Sequence, residues 1–261
     1  MSLENMELHT NIFGKSAVGR PLAIDLFTGL HGWSEGLIAE GFRVVGFDIV
    51  DMSEMCSLTK PDHFDLVLQD VLTLHGSQFK DAALIVASPP CQEYSYMAMP
   101  WKLAKAKAKA IREDATGESL VKLNRLFNAC FRIQAEAILA AGRHIPLVIE
   151  NVRGAQPWVG RARWNFGSFY LWGDVPALMP MTGARFTSRD CGGEHSVDQE
   201  TGTKIGGDWF SDPQSTCRKH GSKSRGRKMA SAMIAKIPLA LSRHVAAAYL
   251  PLFAHAHGRA E

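Results

Sequence analysis

"AIDLFTGLHGWSEGL", residues 23–37, starts as a short apolar run and then turns through Gly29, Gly32 and Gly36 before apolar periodicity resumes. A run this short, closed by a glycine turn and followed by helical spacing, reads as a buried strand feeding a helix. In open parallel sheets ligands bind beyond the carboxyl ends of the strands, and glycine there lets backbone approach the ligand closely. The turn therefore reads as a cofactor site. It is not the dinucleotide fingerprint G-x-G-x-x-G, because His31 and Ser34 stand where that pattern needs glycine, so a pyrophosphate is disfavoured.

Working outward, Leu22 to Phe27, Phe42 to Phe47, Leu66 to Leu68, Ala82 to Val86 and Ile145 to Ile149 read as strands, being short, often β-branched and bounded by Gly, Pro or Asp. Between them the spacing predicts a helix from about Ser34 to Glu40. A stronger one runs from about Glu118 to Ala141, where Leu120, Leu123, Leu126, Phe127, Cys130, Phe131, Ile133, Ala137 and Ile138 recur at helical intervals. Alternating strands and helices imply an α/β fold, a largely parallel Rossmann-like sheet covered by helices on both faces. Residues 173–226 are rich in Gly, Ser, Thr, Asp and Lys and read as a small irregular insertion. Met229 to Leu252 returns to helical pattern, with Pro238 placed to start a second helix.

The 261 residues, 46% of them hydrophobic, suffice for one sizeable domain, and no apolar run reaches the roughly 18 to 20 residues a membrane helix needs. With acidic residues where a signal peptide would be basic and then apolar, a cytoplasmic location is expected. Five cysteines without framework spacing argue for thiols rather than disulfides. The formal charge of +3 is unevenly spread. Lys102, Lys105, Lys107, Lys109 and Arg112 form one basic cluster, and Arg218, Lys219, Lys223, Arg225, Arg227 and Lys228 a second. Neither has a strong apolar face, so a polyanion, nucleic acid before membrane, is the implied partner; a solvated basic surface is the plainer alternative for either alone.

Three further stretches carry chemistry. Asp48 closes the second strand and suits ribose hydroxyls, while Asp70, after the third, could meet an adenine amino group. "ASPPCQEYSY", residues 87–96, holds Cys91 behind two prolines that lock φ, on the same sheet edge as the glycine turn. A lone cysteine is usually a small core hydrophobe. Here "VIENVRG" ends the fifth strand and brings Glu150 and Asn151 to that edge. A thiol and a carboxyl group so placed suit addition of thiolate to carbon 6 of a pyrimidine, with the carboxyl group giving a proton or hydrogen bond to ring nitrogen 3.

"DLFTGLHG", "SPPCQ" and "ENV", in that order, resemble the DNA (cytosine-5) methyltransferase family, and "ASAMIAKIPLALSRHVA" looks like a variant of its final motif. The resemblance spans about 21 to 172 and 226 to 253. It implies S-adenosylmethionine as methyl donor, Cys91 as nucleophile, Glu150 on a flipped cytosine, and Asn151 bracing the Pro-Cys turn. It also implies a cofactor pocket built from Asp25, Phe27, Gly29, Gly32, Asp48, Asp70 and Pro89, with Phe27 on the adenine. Gln92 and Ser95 would lie in a mobile catalytic loop, and with Lys102, Lys105, Arg218, Lys223 and Arg225 would contact double-stranded DNA, the chain acting as a monomer. The implied division is an extension at 1–20, a catalytic and cofactor-binding domain at 21–180, a target recognition insertion at 181–225, and returning helices at 226–261.

The chain also departs from the family. His31 stands where a glycine is common. Of the family's Gln-x-Arg-x-Arg element only Arg161 and Arg163 remain, Arg163 being assigned to the cytosine carbonyl. About forty residues are left for target recognition, extended if the loop from Tyr94 to Gly117 takes part. Cys191 and His195, with Cys217 and His220, are spaced unlike a standard zinc site, and no metal is assigned. An RNA cytosine methyltransferase, a pyrimidine nucleotide enzyme and a nucleic-acid-binding relative without the chemistry are the alternatives; the basic clusters speak against the second and intact Cys91 and Glu150 against the third.

Overall fold

The computed structural model describes residues 19–52, 62–95, 101–179, 196–197, 204–205, 228, 231–233 and 235–251. Five parallel strands form the centre of its sheet: β1 (Leu22–Leu26), β2 (Arg43–Asp48), β3 (Phe64–Leu68), β4 (Leu84–Ala87) and β5 (Leu147–Asn151). A hairpin of β6 (Trp164–Phe166) and β7 (Phe169–Gly173) adds two antiparallel strands beyond β5, giving the order β3-β2-β1-β4-β5-β7-β6. The order reverses between β1 and β4, and at such a point loops from the two strands part and leave a crevice.

The near-continuous apolar character of the central strands has a direct cause, since successive side chains point to opposite faces and both faces are covered. Ile24, Ile85, Leu147 and Ile149 pack on one side against the 24-residue helix α3 (Glu118–Ala141) through Phe127, Cys130 and Ile133. Ala23, Leu84, Val86 and Val148 pack on the other, with Trp33 and Leu37 of α1 (Gly32–Ala39) and Leu241 and Val245 of α4 (Leu239–Tyr249). Pro238 immediately precedes α4, as the sequence predicts, because its missing N–H costs nothing at a helix start.

Two of the turn glycines serve this packing. A Cβ on Gly32 would lie 2.5 Å from the Ile237 backbone nitrogen, and one on Gly36 would lie 2.0 Å from Ser242 Oγ. The C-terminal helix can thus settle on α1 only where α1 has no side chains. Gly29 is different: it adopts φ of +51°, and a Cβ there would meet only the Phe27 carbonyl oxygen, at 3.9 Å.

The stretch from Tyr94 to Gly117, taken from sequence as a loop, contains helix α2 (Trp101–Glu113). Its buried stripe includes Ala104 and Ala108, four residues apart, and alanine gives too little hydrophobic contrast among lysines to reveal the period. Arg218, Lys223, Arg225 and the four cysteine and histidine residues of the insertion lie outside the described residues. There the structure gives only the pairing of β8 (Ser196–Val197) with β9 (Lys204–Ile205). Among the described residues no helix is long and apolar enough to cross a membrane.

Candidate active site

A cleft of about 420 Å³ opens at the carboxyl ends of β1 to β5, within the size range of small-molecule sites. Phe27, Gly29 and Gly32 line it from the first turn, Asp48 and Ile49 from the end of β2, and Asp70 to Leu72 from the end of β3. Ser88 to Gln92 follow β4, and Glu150 and Val152 come from β5. The sheet therefore gathers into one cavity residues that the sequence separates by more than a hundred positions.

The first turn is held tightly. Phe27 and Thr28 donate backbone N–H groups to the Phe47 carbonyl (2.9 and 3.1 Å), and Gly29 donates its own to Asp48 Oδ2 (3.0 Å). Asp48 Oδ1 accepts from the Ile49 backbone (2.7 Å). Asp48 thus fixes the turn while standing in the cleft wall. Asp70 Oδ1 caps the next 3-10 turn by accepting from the Leu72 N–H (2.9 Å), so the helix-cap role and the place in the cleft coexist.

Asp25 is placed beneath the turn rather than in the cleft. Its Oδ2 accepts from Thr28 Oγ1 (2.9 Å) and Ser34 Oγ (2.6 Å), while Oδ1 has no partner. Burial pushes its pKa up to about 7; the two hydroxyls pull it down and the charge of Asp48 pushes it up again. Asp25 stands on the strand face that meets α1, which keeps its carboxyl group from the ligand side. His31, the other departure in this turn, is 2% exposed at φ of +60° and packs edge-on against Phe64, centroids 4.5 Å apart. It is a core aromatic and lines no part of the cleft.

The Cys91 loop is built to be rigid. Asn151, buried at the end of β5, donates from Nδ2 to the Pro89 carbonyl (2.9 Å) and accepts from the Val152 N–H on Oδ1 (2.8 Å). The Trp33 indole donates to Ser88 Oγ (2.9 Å), joining α1 to the same loop. Cys91 is half-exposed in the cleft wall, whereas Glu150 is 6% exposed at its floor. Burial pushes the Cys130 thiol up and out of the range of thiolate chemistry, so of the two described cysteines Cys91 is the nucleophile candidate.

The segment after Gln92 is not loose from the outset, as the sequence suggests. Tyr94 is 3% exposed, and its hydroxyl reaches Asn124 Oδ1 (3.0 Å) and the Leu123 carbonyl (3.2 Å) on α3. Asn124 in turn donates to the Trp158 carbonyl (2.8 Å). The aromatic ring and its hydroxyl together outweigh the freedom of a short polar loop. Gln92 is exposed in the cleft wall, Ser95 is half-buried, and Lys102 and Lys105 are exposed on α2.

Arg163 is not brought to the cleft. Its N–H pairs with the Leu171 carbonyl at the start of β6, the outermost strand, about two strand spacings or 10 Å from β5. Its charge acts on Tyr249, on the α4 side, and Arg161 is likewise exposed away from the cavity. The β6–β7 hairpin places Tyr170 and Leu171, not these arginines, beside the end of β5. Among the described residues, the two cations that do line the cleft, Arg125 and Lys236, are missed by sequence reasoning. Arg125 sits in a helix legible only for its apolar side, and Lys236 arrives through the packing of Ile237 on Gly32.

The sheet order and the cleft at its reversal point define a Rossmann-like fold. Residues 22–109 match the C-5 cytosine-specific DNA methylase family, the family that the sequence resembles. That match takes in the first turn, Asp48, Asp70 and Cys91, and ends before Glu150. No curated protein is significantly similar to this chain. Similar solved structures include a DNA modification methyltransferase encoded within an E. coli prophage, at 23% identity over 52% of this chain and 33% of that one, TM-score 0.35. They also include the S. pombe Dnmt2 methyltransferase (18% identity, 54% and 37%, TM-score 0.35) and the Entamoeba histolytica methyltransferase EhMeth (16% identity, 54% and 41%, TM-score 0.32). The likeness spans well under half the length of these neighbours, so their activities do not transfer with it.

Proposed function

We propose that this chain transfers a methyl group from S-adenosylmethionine to carbon 5 of cytosine in double-stranded DNA. One observation carries the reading: Cys91 and Glu150 line a single cleft with the glycine turn, and Asn151, next to Glu150, holds the proline turn that presents Cys91. Since the family match ends before Glu150, the meeting of thiol and carboxyl group is independent support.

The cleft suits the cofactor. Apolar Phe27, Ile49 and Leu72 offer faces for a base, and Asp48 and Asp70 offer acceptors for hydroxyl and amino groups. When bound there, S-adenosylmethionine would supply an electrophilic methyl group.

The chain's own residues do the rest. The Cys91 thiolate forms a bond to carbon 6 of the pyrimidine, and the electron pair displaced from the ring double bond makes carbon 5 nucleophilic. Glu150, buried at the floor, holds a proton at ring nitrogen 3 and so stabilises the charge that builds there. After carbon 5 is methylated, water takes its proton, the electrons of that carbon–hydrogen bond re-form the ring double bond and expel the Cys91 thiolate, and the proton at nitrogen 3 returns to Glu150. Asn151 keeps Sγ from drifting by fixing the backbone two residues upstream. The target base must leave its stack at a cost of a few kcal/mol, which Gln92, Ser95, Lys102 and Lys105, with Arg218, Lys223 and Arg225, would offset through contacts to the DNA.

The test is to supply methyl-labelled cofactor to the protein and to Cys91→Ser with duplex DNA, RNA or dCMP, then identify the labelled base. Label is expected as 5-methylcytosine in duplex DNA and lost in the variant. Label on adenine, on RNA alone, or unaffected by the substitution would overturn the proposal.

A further inference from the structure

Of the two cations that line the cleft among the described residues, Lys236 is already committed, its Nζ lying 2.6 Å from Glu35 Oε1. Arg125 is exposed and makes no hydrogen bond or ion pair among the described residues. Its place is set by neighbours: Leu123 and Asn124 hold Tyr94, three residues beyond Cys91, so this turn of α3 stands beside the thiol. Asn124 also holds the Trp158 carbonyl, and the Trp158 ring carries the Arg112 guanidinium 5.1 Å from its centroid. One scaffold, Asn124 with Trp158, therefore joins the turn of Arg125, which lines the cleft, to Arg112, which lies over the Trp158 ring outside that lining.

We propose that Arg125 is a phosphate clamp for the nucleotide that enters this cleft, with Arg112 continuing the contact along the strand; the inference rests on the reading of the substrate as DNA. Glu150 lies at the buried floor and Arg125 is exposed at the mouth. A nucleotide that enters base-first to reach Glu150 and Cys91 leaves its phosphates at the mouth. The guanidinium fork matches two phosphate oxygens at once, which fixes register without reading sequence. Neither basic cluster of the sequence contains Arg125, and the arginine assigned to the substrate from sequence, Arg163, is elsewhere.

The experiment measures duplex binding across a salt series, with S-adenosylhomocysteine present, for the protein, Arg125→Gln and Arg125→Lys. One lost phosphate contact should lower the slope of log affinity against log salt by about 0.9 in the glutamine variant. The same decrease is expected on a duplex that is abasic at the target position, whose sugar and phosphates can still enter, while the lysine variant keeps the slope. An unchanged slope, a loss seen only when the target base is present, or weakened binding of S-adenosylhomocysteine without DNA would each overturn the clamp. If the protein methylates no cytosine but the glutamine variant still lowers the slope, the reaction assignment falls and the clamp stands. With intact methyl transfer and an unchanged slope, the reaction assignment stands and the clamp falls.

Discussion

Replacing Asp25 by Asn tests whether the first turn is built over a buried acid. Burial holds this carboxyl group at a pKa of about 7 against an ordinary value of 3.8. At about 1.4 kcal/mol per pKa unit, the difference amounts to roughly 4 kcal/mol. The sign follows from which state holds the proton: between the two values the unfolded chain has lost it and the folded protein keeps it. The contribution of this one group to stability is therefore greatest below about pH 4, falls as pH rises towards 7, and is gone above 7. Asn keeps an oxygen for Thr28 and Ser34 but cannot ionise, and its amide falls where Oδ1 has no partner, a penalty that does not vary with pH. Urea unfolding of both proteins from pH 4 to 8 should show the wild type losing roughly 4 kcal/mol relative to the variant. A stability difference that is constant over this range, or that moves in favour of the wild type as pH rises, would refute the reasoning.

Gly36→Ala forces a methyl group to within 2.0 Å of Ser242 Oγ and should cost about 1–3 kcal/mol in denaturant unfolding, partly recovered in a double variant with Ser242→Gly. Tyr94→Phe leaves Asn124 Oδ1 short of a donor; a loss of about 1–3 kcal/mol is expected, with slower methyl transfer and unaltered S-adenosylhomocysteine binding measured by titration. Arg163→Ala, exposed on the outer strand, should leave methyl transfer within about twofold of wild type, as expected of a surface change away from the cleft.

The sequence carries the parallel sheet because its central strands, buried on both faces, are apolar at most positions, and α3 because its inner face repeats large residues over 24 positions. Cys91, Glu150 and the glycine turn are legible for a related reason: each sits at a strand end, where topology alone determines the side of the sheet it occupies. What is not legible depends on contacts between distant segments. The close approach of Ser242 to Gly36, the anchoring of Tyr94 by Asn124 and the burial of His31 against Phe64 leave no local pattern. Arg163 is misjudged because its distance from Glu150 depends on strand order, which places the β6–β7 hairpin antiparallel and its arginines at the sheet's edge.

The central claim is that Cys91 attacks a pyrimidine ring under the control of Glu150. The most direct measurement is to incubate the protein and cofactor with a duplex in which the target cytosine carries fluorine at carbon 5. Fluorine cannot leave as the proton does, so the adduct should persist, and peptide mapping should find the base attached to Cys91, with no adduct in Cys91→Ser and far less in Glu150→Gln. Attachment at another residue, or an adduct that survives loss of Cys91, would contradict the account.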